Sequence, residues 1–113
     1  MKNEFEKKML IASELLSYCH LRGAHEFHID ISEKDDATTF FIRASTAHVP
    51  DDEMELLCKK LNAPRQREME QNFWGLSGES ENTSELSLVG MMSDDAVIEY
   101  ADGVLSITII RLN

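Results

Sequence analysis

Residues 96–112 read AVIEYADGVLSITIIRL, two apolar stretches separated by a short polar turn. The Asp-Gly dipeptide at 102–103 favours the tight turn of a β-hairpin, because both residue types readily adopt a positive φ. In the second stretch Leu105, Ile107 and Ile109 alternate with other residues, which is the period of a strand with one buried face. The segment therefore predicts a hairpin whose last strand lies inside a sheet rather than at its edge.

A second hairpin is predicted earlier in the chain. Residues 27–31 alternate between apolar and polar side chains, and the charged run at 33–36 forms a turn. Residues 38–44 (TTFFIRA) are β-branched and aromatic, as in a returning strand. His28 and Asp30 are expected on the side of their strand that faces away from the core. The side chains expected in the core are those of Phe27, Ile29, Ile31, Ile42, Ile107 and Ile109.

Helical patterns precede and separate these hairpins. An apolar residue recurs at every third or fourth position through residues 5–19, and Gly23 is well placed to end this helix. Pro50 and the acidic residues at 51–53 indicate a second helix, because negative charge is favourable at a helix N-terminus. Residues 84–92 are apolar enough for a third, short helix. The apolar stripe of the first helix consists of Phe5, Met9, Ala12, Leu16 and Cys19.

These elements predict an α+β fold, a two-layer sandwich with helices on one face of a mostly antiparallel four-stranded sheet. The chain has 113 residues, of which 42% are hydrophobic, so residues 1–113 are expected to form a single domain around one core. A long polar loop at 62–83 interrupts the pattern. Loops of this length in a compact domain are usually functional or disordered.

The net charge of −10 argues against DNA, RNA and anionic membranes as partners, because each phosphate contact requires a cation. No apolar run approaches the roughly 20 residues that cross a bilayer. The N-terminus is charged and amphipathic, unlike a signal peptide. We therefore expect a cytoplasmic protein that does not bind membranes, with Cys19 and Cys58 reduced.

Three segments suggest a known superfamily. They are residues 14–23 (ELLSYCHLRG) in the first helix, residues 44–50 (ASTAHVP) after the second strand, and residues 83–88 (TSELSL) before the third helix. With the order of elements, they resemble the motifs of the ATP-binding domain of the histidine-kinase/GHKL superfamily. The resemblance extends over residues 14–112. It implies the histidine-kinase-like ATPase fold, with the loop at 62–83 in the position of the lid over ATP.

In each motif the residue that handles ATP in the family is replaced. Glu14 matches a glutamate that can activate water, but Tyr18 stands where an asparagine binds Mg²⁺, and a phenol is a poor Mg²⁺ ligand. Ala44 replaces the aspartate that accepts a hydrogen bond from adenine. Leaving that amino group unpaired in a buried pocket costs about 1–3 kcal/mol. Thr46 and His48 replace glycines that let the backbone approach the base.

The third motif has also lost its glycines, which in the family cradle the phosphates with backbone amides. Thr83 stands at the first of these positions, and Glu85 adds a negative charge. The resemblance therefore implies a pocket that has lost ATP and its chemistry, with no catalytic residue, no metal and no cofactor. The candidate pocket residues are Glu14, Tyr18, Ala44, Thr46, His48, Thr83 and Glu85.

The polar loop carries a second candidate site. Arg65 and Arg67 precede Phe73 and Trp74, and aromatic and arginine side chains dominate the binding energy of protein interfaces. The simpler interpretation is that these aromatic rings form a small cluster that closes one end of the core.

The function that we predict is a non-catalytic regulatory module that binds a protein partner, with a homodimer left open. The alternative is a nucleotide- or small-ligand-binding domain of the anti-sigma-kinase type, with a remodelled pocket. A generic α+β domain unrelated to ATPases is a third interpretation. His25 and His28 are spaced three apart, so on a strand they point to opposite faces and do not chelate one metal.

Overall fold

The computed structural model describes residues 4–45, 47–68 and 86–112. Its helices and strands have the order expected from the sequence, and the helices pack on one face of an open four-stranded antiparallel sheet. The α+β sandwich is thus confirmed. In chain order the elements are α1 (Glu4–Leu21), β1 (Glu26–Lys34), β2 (Ala37–Ser45), α2 (Asp51–Leu61), α3 (Leu86–Met91), β3 (Asp95–Ala101) and β4 (Val104–Leu112).

The strand order in the sheet is β1-β2-β4-β3, and each neighbouring pair is antiparallel. The last strand, β4, lies in the interior, as its sequence predicts. Both hairpin turns use residues with positive φ, namely Asp35 and Asp36 in the first and Asp102 and Gly103 in the second. Asp and Gly tolerate this conformation better than most residues, which explains the composition of both turns.

The core lies between the helices and the two central strands. On the helix side of β2, Phe40 and Ile42 are fully buried, and β4 contributes Ile107 and Ile109. α1 packs on β2 and α2 packs on β3, while α3 packs against both helices. The contact between α2 and α3 is close, because a Cβ on Gly90 would overlap the carbonyl oxygen of Lys60. The helices bury Ile11, Leu15, Leu57, Leu61, Leu88 and Val89 in this core.

The prediction that Phe27 and Ile31 lie in the core is wrong. Phe27 is 42% exposed and Ile31 is 40% exposed, while Ile29 is half-buried. These side chains are on the helix side of the sheet, as their pairing with β2 shows. They remain exposed because β1 is an edge strand that the described helices do not cover. His28 and Asp30 are on the opposite side, as expected.

The apolar stripe predicted for α1 is also partly wrong. Phe5 is 66% exposed and Met9 is 46% exposed, although Ala12 and Cys19 are buried. Compared with the predicted stripe, the buried face of the helix is shifted around the axis, to Ile11 and the residues one turn after it. The exposed residues therefore lie on a flank of the helix and not on the face that meets the sheet.

One fully buried side chain in the core is charged. Arg111, near the end of β4, donates hydrogen bonds to both carboxylate oxygens of Glu4, at 3.1 and 2.7 Å. A third donor, Nη1, reaches the carbonyl oxygen of Met92 at 2.6 Å. The hydrogen bond from Arg111 holds the pKa of Glu4 below its ordinary value, so this carboxylate is ionised at neutral pH. Arg111 thereby joins the start of α1, the end of α3 and β4.

The different burial of two isoleucines gives a direct test of the sheet. Ile107→Ala should lower the free energy of unfolding by about 2–5 kcal/mol, because it leaves a cavity in the core. Ile31→Ala, the same substitution on the uncovered strand, should cost less than about 1 kcal/mol. Urea unfolding monitored by circular dichroism measures both. Equal losses in the two variants would contradict the placement of β1 outside the helix layer.

Candidate functional site

The segment that follows β2 is held in place by backbone contacts on two sides. The amide of Ala47 donates to the carbonyl oxygen of Gly103 at 3.0 Å, and the amide of His48 donates to that of Arg22 at 2.8 Å. The hydroxyl of Tyr100 donates to the carbonyl oxygen of Ala47 at 3.0 Å. The segment is thus fixed between the end of α1 and the turn from β3 to β4.

Tyr18 lies on the adjacent face of α1, with 8% of its surface exposed. The guanidinium carbon of Arg22 is 6.0 Å from the centre of its ring, and Nη1 of Arg22 is 3.7 Å from Oε2 of Glu53 on α2. Burial raises the pKa of Tyr18, so its hydroxyl is neutral and can donate a hydrogen bond. Within the part of the chain that the structure describes, this buried hydroxyl has no hydrogen-bond partner.

Of the predicted pocket residues, Tyr18 and Ala44 are both buried members of the core cluster. Ala44 is fully buried on the helix side of β2, between Phe27 of β1 and Leu105 of β4. Glu14 is buried one turn before Tyr18 on α1. The result is an apolar sheet surface beside a single phenol, and the side chain at position 44 offers no hydrogen-bond acceptor.

The other predicted pocket residues are not brought to this place. The His48 side chain is exposed, although the backbone on both sides of it is held by Ala47 and by Val49, whose side chains are buried. Thr46, Thr83 and Glu85 lie outside the described residues. Of the seven predicted pocket residues, the structure therefore shows Glu14, Tyr18 and Ala44 as buried side chains of α1 and β2.

The predicted partner-binding residues are described only in part. Nη1 of Arg65 donates to Oδ2 of Asp94 at 2.7 Å and to the carbonyl oxygen of Leu112 at 2.6 Å. This arginine therefore fastens the segment after α2 to the end of β4 and to the residue before β3, a role that the sequence does not reveal. Arg67 is exposed. Phe73 and Trp74 lie outside the described residues.

The two cysteines are free thiols in different environments. Cys19 is buried, which raises the pKa of its thiol to about 11, so it is a poor nucleophile at neutral pH. Cys58 is half-buried. Among residues 4–45, 47–68 and 86–112, no group of three or more His, Cys, Asp or Glu side chains is placed to hold a metal ion.

The sequence does not predict one feature of the structure, an exposed apolar surface between α1 and β1. Its members were assigned to the core, because alternation shows which side of a strand is apolar and not whether a helix covers that side. A signal that points to it is the small number of long helices available to cover four strands. We call this the α1–β1 surface, which consists of Phe5, Met9, Leu16, Phe27, Ile29 and Ile31.

Comparison with known proteins does not assign the chain to a family. No model of a known protein family matches it, and no curated protein matches it. Within the described residues, none of the helices has the length and apolar character needed to span a membrane. Function is therefore argued from the side chains themselves.

The unpartnered hydroxyl of Tyr18 leads to a prediction with a matched control. Tyr18→Phe should leave the free energy of unfolding unchanged or raise it, because an unpaired buried hydroxyl costs about 1–3 kcal/mol. Tyr100→Phe removes a hydroxyl that is bonded to Ala47, and it should cost about 0.5–1.5 kcal/mol. Urea titration measures both. A loss above about 1 kcal/mol for Tyr18→Phe would show that this hydroxyl makes a stabilising hydrogen bond.

Proposed function

We propose that this chain is a non-catalytic regulatory module that binds another protein, built on a histidine-kinase-like ATPase fold whose nucleotide site is lost. The order of helices and hairpins supports this fold, because it is the order that the family resemblance implies. The observation that carries the proposal is Ala44. It is fully buried at the position where the family recognises adenine.

The chemistry of the described pocket disfavours ATP at two points. The methyl group of Ala44 accepts no hydrogen bond, so the amino group of a bound adenine would be left unpaired there. The neutral phenol of Tyr18 stands where the family holds Mg²⁺, which prefers compact oxygen ligands in octahedral geometry. The net charge of −10 adds a general repulsion of polyphosphates.

The partner in this proposal is a protein bound through the segment at 62–83. Arg67, Phe73 and Trp74 supply the side-chain types that anchor interfaces. Arg65 contributes by fastening the start of this segment to Asp94 and Leu112. We place the protein in the cytoplasm, where free thiols such as Cys19 and Cys58 are kept reduced.

A second candidate function is binding of a small ligand in the remodelled pocket, as in an anti-sigma-type kinase. The observation that favours it is the hydroxyl of Tyr18, which is buried and unpartnered among the described residues. Such a group gains a hydrogen bond when a ligand supplies an acceptor. The two candidates differ in whether any purine or anion binds to the chain.

Calorimetric titration with ATP, ADP and a non-hydrolysable analogue, each with and without Mg²⁺, tests the loss of the nucleotide site. We expect dissociation constants weaker than about 100 μM, which corresponds to about −5.5 kcal/mol. Tighter binding to the wild-type chain would contradict the proposal. If the Tyr18→Phe substitution weakened that binding at least about tenfold, the small-ligand function would replace the non-catalytic regulatory function.

The fluorescence of Trp74, the single tryptophan, reports on the proposed partner-binding segment. Its emission should shift to shorter wavelength when a purified partner binds, because the indole leaves water. Trp74→Ala should fold normally and weaken partner binding at least about tenfold. Leu56→Ala, which removes an exposed apolar side chain from α2, is the control and should leave binding unchanged. Unchanged affinity in Trp74→Ala would remove this residue from the interface.

A further inference from the structure

Four of the five exposed large apolar residues that the structure describes on α1 and β1, all except Leu21, form one surface. Phe5, Met9, Phe27 and Ile31 are each at least 40% exposed, and Leu16 and Ile29 fill the space toward the core. If a large side chain presents roughly 200 Å² when fully exposed, these four leave about 400 Å² of apolar area in water. This area lies in the range of the largest apolar patch on a typical single chain, and such a patch is often functional.

Two contacts show that the apolar flank of α1 lies on the same side as β1. Glu4 contacts Arg111 on β4, whereas Lys8, one turn later, contacts Glu33 on β1. Viewed down the helix axis, Lys8 lies between Glu4 and the flank that carries Phe5 and Met9. This flank therefore borders the exposed helix side of β1.

The backbone of β1 is itself open to pairing. It is an edge strand of nine residues, it contains no proline, and its register with β2 is continuous from Glu26↔Ser45 to Lys34↔Ala37. Edge strands of this kind present a row of unpaired N–H and C=O groups to a further strand. The other edge strand, β3, is shorter, and α2 packs on it.

We propose that β1 pairs antiparallel with β1 of a second copy of this chain, centred on Ile29. Phe27 of each copy then lies opposite Ile31 of the other, so the two α1–β1 surfaces meet on the same side of a continuous sheet. On the opposite side, His28 lies directly across from Asp30 of the second copy. Each copy uses the same residues to contact the other, as a two-fold symmetric interface requires.

The charges of β1 select this register over its neighbours. A two-fold pairing that keeps the helices of both copies on one side is centred on a residue, and β1 has its midpoint at Asp30, so the candidates near the middle are 29, 30 and 31. Centring on Asp30 sets this carboxylate against Asp30 of the second copy. Centring on Ile31 sets the apolar Ile29 against the carboxylate of Glu33. Like charges directly opposite are destabilising, whereas centring on Ile29 pairs Asp30 with His28.

A centre at Ile29 pairs residues 26–32, seven of the nine residues of β1, with their counterparts in the second copy, and it places the apolar side chains opposite one another. Phe27, Ile29 and Ile31 pack across the two-fold axis, with Phe5 and Met9 of each α1 bordering them. About 400 Å² of apolar area per copy, with the paired backbone and flanking polar groups added, approaches the area of a small specific interface. This inference rests on the fold alone and holds whether or not the nucleotide site is lost.

Sedimentation velocity of the wild-type chain over a range of concentrations tests the proposal. The weight-average mass should rise toward that of two chains as the concentration increases to about 200 μM. Ile31→Lys should raise the dimer dissociation constant at least about tenfold, because it places two cations against Phe27 of the opposite copies. Val97→Lys, the same change at an exposed residue of the other edge strand, should leave it unchanged. Unfolding curves confirm that both variants fold.

Disulfide formation between variants that each carry one introduced cysteine, with the buried Cys19 retained, tests the register. In a Cys58→Ser background, a mixture of His28→Cys and Asp30→Cys should cross-link under mild oxidation, because directly opposite residues bring their Cα atoms within about 5.5 Å. Neither variant alone should do so, since its own cysteines lie diagonally across the axis and too far apart.

A wild-type chain that remains monomeric at about 200 μM would overturn the proposal and leave the surface to a different protein. An equal increase of the dimer dissociation constant in Ile31→Lys and Val97→Lys would overturn the assignment of the interface to β1. Cross-linking of either single variant as efficient as that of the mixture would overturn the register. None of these outcomes depends on ATP, so failure here is distinct from failure of the proposed loss of the nucleotide site.

Discussion

The bidentate ion pair between Arg111 and Glu4 determines how the helices sit on the sheet. The guanidinium of Arg111 is fully buried near the end of the interior strand β4. Burying such a charge is costly unless each donor finds an acceptor. Glu4 and the carbonyl oxygen of Met92 supply those acceptors. The start of α1 is therefore held over the centre of the sheet. With α1 in this place, none of the described helices covers the helix side of β1.

The sequence predicts the elements of this fold well and their lateral arrangement poorly. The alternation in residues 27–31 correctly identifies which side of β1 faces the helices. It does not show that this side is open, because that depends on where α1 lies. The position of α1 depends in turn on Arg111 and Glu4, which are 107 residues apart. A charged residue at the end of an apolar strand gives no indication in the sequence that it is buried.

In the candidate site, too, the sequence predicts the positions of some residues well and those of others poorly. Residues placed by regular elements, Tyr18 on α1 and Ala44 on β2, are both buried in the core, because helix and strand periods determine the direction of their side chains. His48 follows the strand, and its side chain is exposed, while its amide and that of Ala47 donate to the carbonyl oxygens of Arg22 and Gly103. The contact of Arg65 with Asp94 joins segments distant in sequence. Such contacts depend on tertiary geometry, which no local pattern encodes.

The central claim is that fixing α1 over β2 leaves β1 as an open strand that pairs with its own copy. Amide hydrogen exchange of the wild-type chain at about 1 μM and about 200 μM measures this most directly, because pairing protects edge amides. The account predicts slower exchange of the amides of residues 26–34 at the higher concentration, with those of residues 95–101 unchanged. Exchange of residues 26–34 at the same rate at both concentrations would contradict it.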